Sequence, residues 1–333
     1  MNKIKYLFNR IKGMDYKSFF NTIDEEAKTH HANKLYLFFD IIWCGIKYQA
    51  GYNDYRCFGF YSLNGKQRKT YLTRGKNNKY VALLNDKSKW HIFDNKNEFN
   101  ELFNKYLKRK WIYLDNNLEE FKKMFADAKE IIVKPNNDSG GNGVAKLKIK
   151  DYKSLVDVYN HLLDTKQVLV EEVIKQHHTL NKLHPNSVNT IRIITINNNG
   201  NISYLTAFLR IGNGDVVDNT CSGGMLTIID LKTGETLYPA CDTNMNVFKV
   251  HPLTKENIIG FKIPYWKEAL ELCKEMAKVV DGINYIAWDI AITETGPVVV
   301  EGNPYPGYYY QFPIHTPKKI GALSRFEEIL NKK

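Results

Sequence analysis

The residues best placed to do chemistry lie near the end of the chain, in IAWDIAITETGPVVVEGNP. Glu301, Gly302 and Asn303 give a carboxylate, a spacer and an amide, and Asp289 precedes them. Apolar runs on both sides of Thr293–Gly296 read as a β-hairpin. Pairing Thr293 with Pro297 across a three-residue loop sets Asp289 opposite Glu301. Alternation of side chains along a strand then puts Asn303 on the face of Glu301. Like charges directly opposed across two strands destabilise the pair, so two such carboxylates call for a cation or a shared proton. Donors that are all oxygen suit Mg²⁺, which commonly also binds substrate phosphates. A solvated hairpin carrying two surface acids is the alternative.

A second segment, IIVKPNNDSGGNGVAKL, bears on the choice. Ile131–Val133 read as a buried strand that delivers Lys134, and Pro135 ends regular pairing. Asp138 to Gly143 follow, a loop in which Gly140, Gly141 and Gly143 allow close backbone approach and Ser139 adds a hydroxyl. Successive backbone N–H groups in such a loop form a concave anion site, and Lys134 adds a charge able to reach a phosphate. No Gly-Lys-Ser/Thr follows, so this is not a Walker loop. The G-x-G-x-x-G turn into a helix is missing as well. A plain hairpin turn is the alternative, but beside a metal-binding hairpin a nucleotide is the economical reading.

These groups need elements to hold them. Asn95–Arg109 reads as an amphipathic helix burying Phe99, Leu102, Phe103, Tyr106 and Leu107. Asp151 is placed to cap a helix presenting Leu155, Val158, Tyr159 and Leu162. Gln167–Val173 reads as a strand, and Ile191–Ile196 with Ser203–Arg210 as neighbouring strands joined at Asn197–Asn201. Met225–Ile229 and the turn at Lys232–Gly234 add a hairpin, and Pro264 opens a helix with Ala269, Leu272, Cys273, Met276 and Val280 inward. Arg192 sits among isoleucines and Arg210 ends an apolar strand, so each charge is aimed at a polar cleft or a structural partner. Arginine suits bidentate contacts to phosphate or carboxylate. Asn219 with Gly223 and Gly224 suggests a second anion-handling loop, a simple turn being the alternative. His177 and His178 are not expected to bind zinc, since neighbours on a strand face opposite ways.

Taken in order, these motifs resemble the ATP-grasp superfamily from about residue 94 to residue 307. Lys96 in DNKNEF, Lys134 before the glycine-rich flap, the acids of LVEEVI, the arginine of NTIRIIT, the run LRIGNGDVVDNTCSGGM and the set WDIAIT…VEGN carry the likeness. The NTIRI run and the overall layout are similar to the sugar-transfer-associated ATP-grasp proteins found with capsule and other surface-polysaccharide genes. The Arg210…Asn219…Gly223-Gly224 run resembles that of ribosomal-protein glutamate ligases.

The resemblance implies an α+β fold in which two lobes sandwich ATP. It makes Lys96, Lys134 and the flap phosphate contacts. Glu171, Glu172 and Ile174 become an adenine-binding hinge with His178 near the ribose, and Asp289, Glu301 and Asn303 become Mg²⁺ ligands. Arg192 or Arg210 would act as catalytic oxyanion donor. The implied reaction is ATP-dependent carboxylate–amine ligation, with small-molecule or glycan-linked acids and amines as substrates. A sugar kinase and a non-catalytic nucleotide-binding module at the membrane are the alternatives. The departure is residues 1–93, a helix- and aromatic-rich region without the Rossmann-like half of the family's usual leading domain, and a candidate acceptor-binding or membrane-side lobe. The ATP-grasp domain is expected at 94–333, with its flap at about 130–175.

Composition agrees with an enzyme of this kind. A chain of 333 residues has room for two lobes with ample core. The apolar run LYLFFDIIWCGI, residues 35–46, is too short to cross a membrane and contains Asp40. MNKIKYLFNRIKGM lacks the continuous apolar core of a leader. Five scattered cysteines without a CxxC point to a reduced, cytoplasmic setting. The net charge of +11 fits a lysine-rich surface, substrates carrying phosphate or carboxylate, or a peripheral site at the inner membrane face. For the last, Ile4, Leu7, Phe8, Ile11 and Met14 recur at helical spacing opposite Lys3, Lys5, Arg10 and Lys12, a stripe that docks on the protein's own core or on anionic lipid. Nucleic acid is not expected, because the aromatics form no stacking motif and the charges no basic tail.

Overall fold

The computed structural model describes residues 13–137, 143–214 and 223–331. Two compact units result, one made of residues 1–83 with 307–333 and the other of residues 84–306. The boundary placed at residue 93 from sequence falls inside the second. Ser139, Gly140, Gly141 and Asn219 lie outside the described residues, as does most of the basic N-terminal stripe.

In the first unit the regular structure of the described residues is helical. It begins with α1 (Tyr16–His30), α2 (Lys34–Tyr48), α3 (Tyr52–Cys57), α4 (Gly65–Lys69) and α5 (Arg74–Leu84). Asp15 caps α1 by accepting from the Ser18 N–H at 3.1 Å, and Asn33 caps α2 from Leu35 at 2.8 Å. His31 and Gln49 close these helices in the left-handed conformation, with φ of 50° and 56°. Arg68 ties the bundle together, giving a two-pronged contact at 2.7 Å to Asp40 and a bond at 2.9 Å to the Phe60 carbonyl. The C-terminal segment belongs here. Gln311 bonds both backbone groups of Leu72, Phe326 packs on Tyr80, and a Cβ on Gly321 would come within 2.5 Å of the Tyr71 backbone.

Glu26 on α1 is buried beside Arg56, Glu25 and His30, whose Nε2 lies 3.6 Å away. Burial lifts its carboxyl from 4.5 to about 7, Arg56 opposing. A folded-state pKa above the unfolded one adds stability below the unfolded value, and that contribution disappears as pH rises through the folded value. The window here is pH 4.5 to about 7. Glu26→Gln is therefore expected to raise the melting temperature at pH 8, with a gain on the order of 2–3 kcal/mol, and to add little at pH 5. Thermal melts of both proteins at the two pH values check this; an equal effect at both would refute it.

The second unit holds two antiparallel sheets. It opens with α6 (His91–Asp94), α7 (Lys96–Leu102) and α8 (Asn104–Leu107), not with one helix across Asn95–Arg109. Phe103 breaks the helix at φ −100°, ψ 15°, which changes the phase: Phe99, Phe103, Tyr106 and Leu107 stay buried while Leu102 turns outward. The smaller sheet has the order β1-β4-β2-β3, from β1 (Trp111–Tyr113), β2 (Glu130–Lys134), β3 (Ala145–Lys148) and β4 (Leu169–Glu172). Helices α9 (Leu118–Phe125) and α10 (Leu155–Asp164) pack Phe121, Phe125, Val158, Tyr159 and Leu162 against Ile131 and Val133 of that sheet. Ser154, rather than Asp151, caps α10, its hydroxyl accepting from Asp157 at 3.2 Å; Asp151 ends the preceding 3₁₀ turn.

After a one-turn helix, α11 (His178–Asn181), the larger sheet follows with order β11-β10-β5-β6-β7-β8-β9. Its strands are β5 (Ile191–Asn198), β6 (Asn201–Ile211), β7 (Met225–Ile229), β8 (Ala240–Cys241), β9 (Val247–Phe248), β10 (Tyr285–Thr293) and β11 (Gly296–Asn303). Asn199 and Gly200, at φ 53° and 87°, close β5 and β6 in a two-residue turn that matches the twist of the pair. Helix α12 (Trp266–Met276) lies on the main core through Trp266, Ala269, Leu272, Cys273 and Met276, and Val280 follows it into the core. Trp288 of β10 packs edge-on against Phe103 at 5.5 Å.

Candidate active site

The hairpin β10–β11 does set Asp289 opposite Glu301, but not through the expected turn. Thr293 pairs with Gly296 across two residues, Glu294 and Thr295, which alone would slide the acids out of register. A bulge corrects the slip: Ile290 faces Val299 and Asp289 faces Glu301, leaving Val300 as the extra residue. A bulge re-aims side chains and tightens the local twist. Asn303 lies on the face of Glu301, with its amide 3.3 Å from the Glu301 carboxylate.

Strand β5 pairs with the other edge of β10 and sets Arg192 directly opposite Asp289. Its Nε and one terminal nitrogen each donate to Asp289 at 2.6 Å, and Arg210 of β6 adds a bond at 2.8 Å. Burial alone would raise the Asp289 carboxyl; Arg192 and then Arg210 outweigh it and hold the group well below the usual carboxylate range. Glu301 has the opposite balance. Although 48% of its side chain reaches solvent, desolvation against the strand face, and then the neighbouring Asp289, push its carboxyl above the ordinary range, and Arg192 opposes at 3.8 Å. Both arginines foreseen from sequence thus converge on the one acid that faces them.

This arrangement fits a divalent cation. A carboxylate offers about four lone-pair sites. In Asp289 three of these accept from the arginines, and Glu301 stands directly opposite across the hairpin. A cation set between two opposed carboxylates offsets the repulsion that arises when both are ionised. The nearby donors Asp289, Glu301 and Asn303 are all oxygen-bearing, as Mg²⁺ requires.

The lysines expected to meet phosphate lie on β2 of the smaller sheet and at the start of α7. Lys134, at the end of β2, bonds Glu171 of β4 at 2.8 Å. Glu171 is fully buried, and also accepts from Arg109 at 3.0 Å and from Asn100 of α7 at 3.0 Å. Burial would raise its carboxyl, but Arg109 and Lys134 outweigh that and keep it ionised, far below the usual range. Lys96 opens α7, and its backbone N–H and Nζ reach the Asn136 carbonyl at 3.2 and 3.4 Å, two residues beyond Lys134. Lys96 thus meets the chain two residues beyond Lys134, ahead of the glycine-rich run, whose last glycine, Gly143, is left-handed at φ 69°.

Along the hinge, Glu171 is committed on both sides of its strand, opposite Trp111 and Ile132, and the Glu172 N–H donates to the Lys110 carbonyl at 2.8 Å. Ile174 lies beyond the end of β4. His178 starts α11 and its backbone and ring both meet Glu294 at the hairpin tip, at 2.7 and 3.1 Å. The His177 and His178 rings stack at 4.2 Å. The expectation that they point apart fails, because the segment is a helix start and not a strand. With Glu294 they form a cluster whose ligand atoms all lie within 4.8 Å, His178 hydrogen-bonding Glu294 and His177 standing 3.6 Å from it.

Sequence reasoning missed Arg109 and Asn100, which lack any motif and are identified only by the buried acid they satisfy. It also missed a buried polar cluster around Asn189 and Gly212. Asn189, fully buried, donates to Gln176, Leu180 and His184 and accepts from the Gly212 N–H at 3.2 Å; His251 holds the Gly212 carbonyl at 2.8 Å. A Cβ on Gly212 would lie 2.1 Å from the Ser187 hydroxyl. Here the signal was present, as the asparagine that opens NTIRI. Gly223, at φ 87°, and Gly224 lead into β7 on the far side of that loop.

The chain belongs to the sugar-transfer associated ATP-grasp family, whose profile matches residues 75–316. Its fold is accordingly the α+β ATP-grasp fold, here with a helical N-terminal region. No curated protein matches the sequence. Among solved structures it is similar to the D-alanine–D-alanine ligase of Bacillus anthracis, at 16% identity and a TM-score of 0.42 over 80% of this chain and 77% of that one. It is similar also to the ATP-grasp ligase PsnB complexed with minimal precursor, at 13% identity and a TM-score of 0.44 over 80% and 70%. The L-amino acid ligase of Bacillus licheniformis is matched at 12% identity and a TM-score of 0.42 over 66% of this chain, which spans 42% of that enzyme.

Proposed function

We propose that the protein is an ATP-dependent carboxylate–amine ligase that forms an amide through an acyl phosphate, on a sugar acid or amino acid of capsule or other surface glycan. The observation that carries this reading is the convergence of Asp289, Glu301 and Asn303 on one strand face, with Arg192 and Arg210 locked onto the first of them. A binding module has no need of so costly an arrangement of buried charge. The glycan part rests on the family's description as sugar-transfer associated.

In the proposed reaction the γ-phosphoryl group moves to an oxygen of the acceptor carboxylate, its bond to the β-phosphate oxygen breaks, and ADP leaves. An amine nitrogen then attacks the acyl carbon, loses a proton, and expels phosphate. Such transfer depends on positioning and charge stabilisation more than on a protein nucleophile. Lys96 and Lys134 hold the phosphates under the loop of Ser139, Gly140, Gly141 and Gly143, and the segment from Glu171 to Ile174 receives adenine, with His178 toward the ribose. Asp289, Glu301 and Asn303 would hold Mg²⁺, which when bound neutralises the β- and γ-phosphates. Arg192, the more open of the two arginines, is the better candidate for the oxyanion, with Arg210 fixing Asp289. Asn219, Gly223 and Gly224 are assigned to the acceptor or its phosphate by the resemblance of their run to that of glutamate ligases.

Hydroxylamine intercepts acyl phosphates as hydroxamates. Incubation with ATP, Mg²⁺ and panels of uronic and amino acids is expected to yield a hydroxamate with ADP and phosphate released in equal amounts. A stable phosphomonoester formed with ADP, without free phosphate or hydroxamate, would replace the ligase by a sugar kinase.

A further inference from the structure

Helix α2 is apolar on both sides. Leu37, Ile41, Cys44 and Tyr48 point into the first unit and are buried. On the opposite side Leu35, Tyr36, Phe39, Ile42, Trp43 and Ile46 form a continuous stripe at helical spacing, each between 37% and 65% exposed. An edge-to-face chain of rings carries the stripe onto α1, from Phe39 to Phe38 at 5.4 Å, to Phe19 at 5.8 Å, and to the exposed Phe20 at 5.4 Å. An apolar patch of this extent on a soluble domain marks an interaction surface.

We propose that this face is a docking surface for the interfacial zone of an anionic lipid bilayer. Three observations favour lipid over a protein. The stripe has no charged side chain among its six positions, and only Tyr36 and Trp43 carry a hydrogen-bonding group, whereas protein interfaces carry roughly one hydrogen bond per 100–200 Å². Its aromatic members include Trp43 and Tyr36, the residue types that settle at the headgroup boundary. On α2 itself the exposed charges are basic. Asp40, the only acid of α2, is turned inward onto Arg68 and Tyr55, each at 2.7 Å. Lys47 lies over the Trp43 ring at 5.0 Å, and Lys34 stands at the other end, sharing its charge with Asp24 at 2.7 Å. A lysine stem lying along apolar surface with its ammonium at the rim is the arrangement that meets anionic headgroups. No helix among the described residues is long and apolar enough to cross a membrane, so the contact lies in the plane of the surface. This proposal goes beyond the ligase reading and stands without it.

The test is sedimentation of the full chain, without nucleotide, with vesicles of phosphatidylcholine alone and with phosphatidylglycerol added. Binding is expected to the anionic vesicles, weakening with salt, and to fall at least tenfold in Phe39→Ser/Ile46→Ser. Should that variant melt differently from the parent, a second measurement decides. Brominated phosphatidylglycerol should quench tryptophan emission in the parent, and Trp43→Phe should remove most of that quenching while still binding. Absence of binding to anionic vesicles at millimolar lipid overturns the proposal, as does equal binding by parent and variant. A lipid-free dimer that the serine variant splits, with no vesicle binding, would assign the face to a second copy of the chain.

Discussion

Glu301→Gln is expected to lower ATP turnover by about 10²-fold or more while leaving the melting temperature unchanged or higher. Even residues that only support metal ligands change activity by about 10–100-fold when removed, so loss of a ligand carboxylate belongs at or above that range. Stability moves the other way for a separate reason. Glu301 is the partner of the carboxylate pair whose ionisation is disfavoured, by desolvation and then by Asp289. A neutral amide of nearly the same shape preserves contact with Asp289 and removes the repulsion that appears when both are charged. ADP release measured across a Mg²⁺ series, beside thermal melts, separates the two effects. Full turnover by the variant at limiting Mg²⁺ would remove Glu301 from the proposed site. A fall in melting temperature as large as the fall in activity is severe would make the residue structural.

Why the hairpin was legible and the ion cluster was not follows from the range of the interactions. Asp289, Glu301 and Asn303 lie within one supersecondary unit, so alternation along a strand nearly suffices to place them. The error lay in the turn, where a two-residue loop and a bulge at Val300 combine to the same register as a three-residue loop without one. Two compensating one-residue shifts leave no trace in an apolar pattern. Arg192 could be read because isoleucines on either side force its side chain to the opposite face. Glu171 was legible as an acid in a strand, but its partners come from three other elements, Arg109, Lys134 and Asn100, joined by tertiary packing alone. The break at Phe103 had the same origin: the stripe of Phe99, Phe103 and Tyr106 continues through it, and only the outward turn of Leu102 records the change of phase. At the C-terminus the spacing of Leu323, Phe326 and Ile329 marks a helix, but the unit it joins is set by tertiary contacts such as Gln311 with the Leu72 backbone and Phe326 with Tyr80.

Glu171→Ala is expected to cost about 3–5 kcal/mol, the usual consequence of leaving a buried cation without its partner. Here Arg109 is the cation most affected, since its side chain is 4% exposed and Glu171 receives its Nε. For a unit the size of residues 84–306, each kcal/mol moves the melting temperature by roughly 2–4 °C, so a drop of about 6–20 °C is expected. Lys134→Ala should behave differently. Glu171 then keeps Arg109 and Asn100, one charge-assisted bond is lost, and the cost falls to about 1.5–3 kcal/mol. That asymmetry suits a lysine able to leave Glu171 for a phosphate while the acid remains satisfied. A ligand that binds only the folded chain adds RT ln(1 + [L]/Kd), roughly 2.7 kcal/mol at a hundredfold excess over Kd. Mg-ATP should thus raise the melting temperature of the parent, and Lys134→Ala should blunt the rise. Equal shifts in parent and variant would leave Lys134 a structural partner of Glu171 with no hold on the nucleotide. A Glu171→Ala protein melting within about 1 °C of the parent would mean instead that solvent reaches Arg109 once the acid is gone.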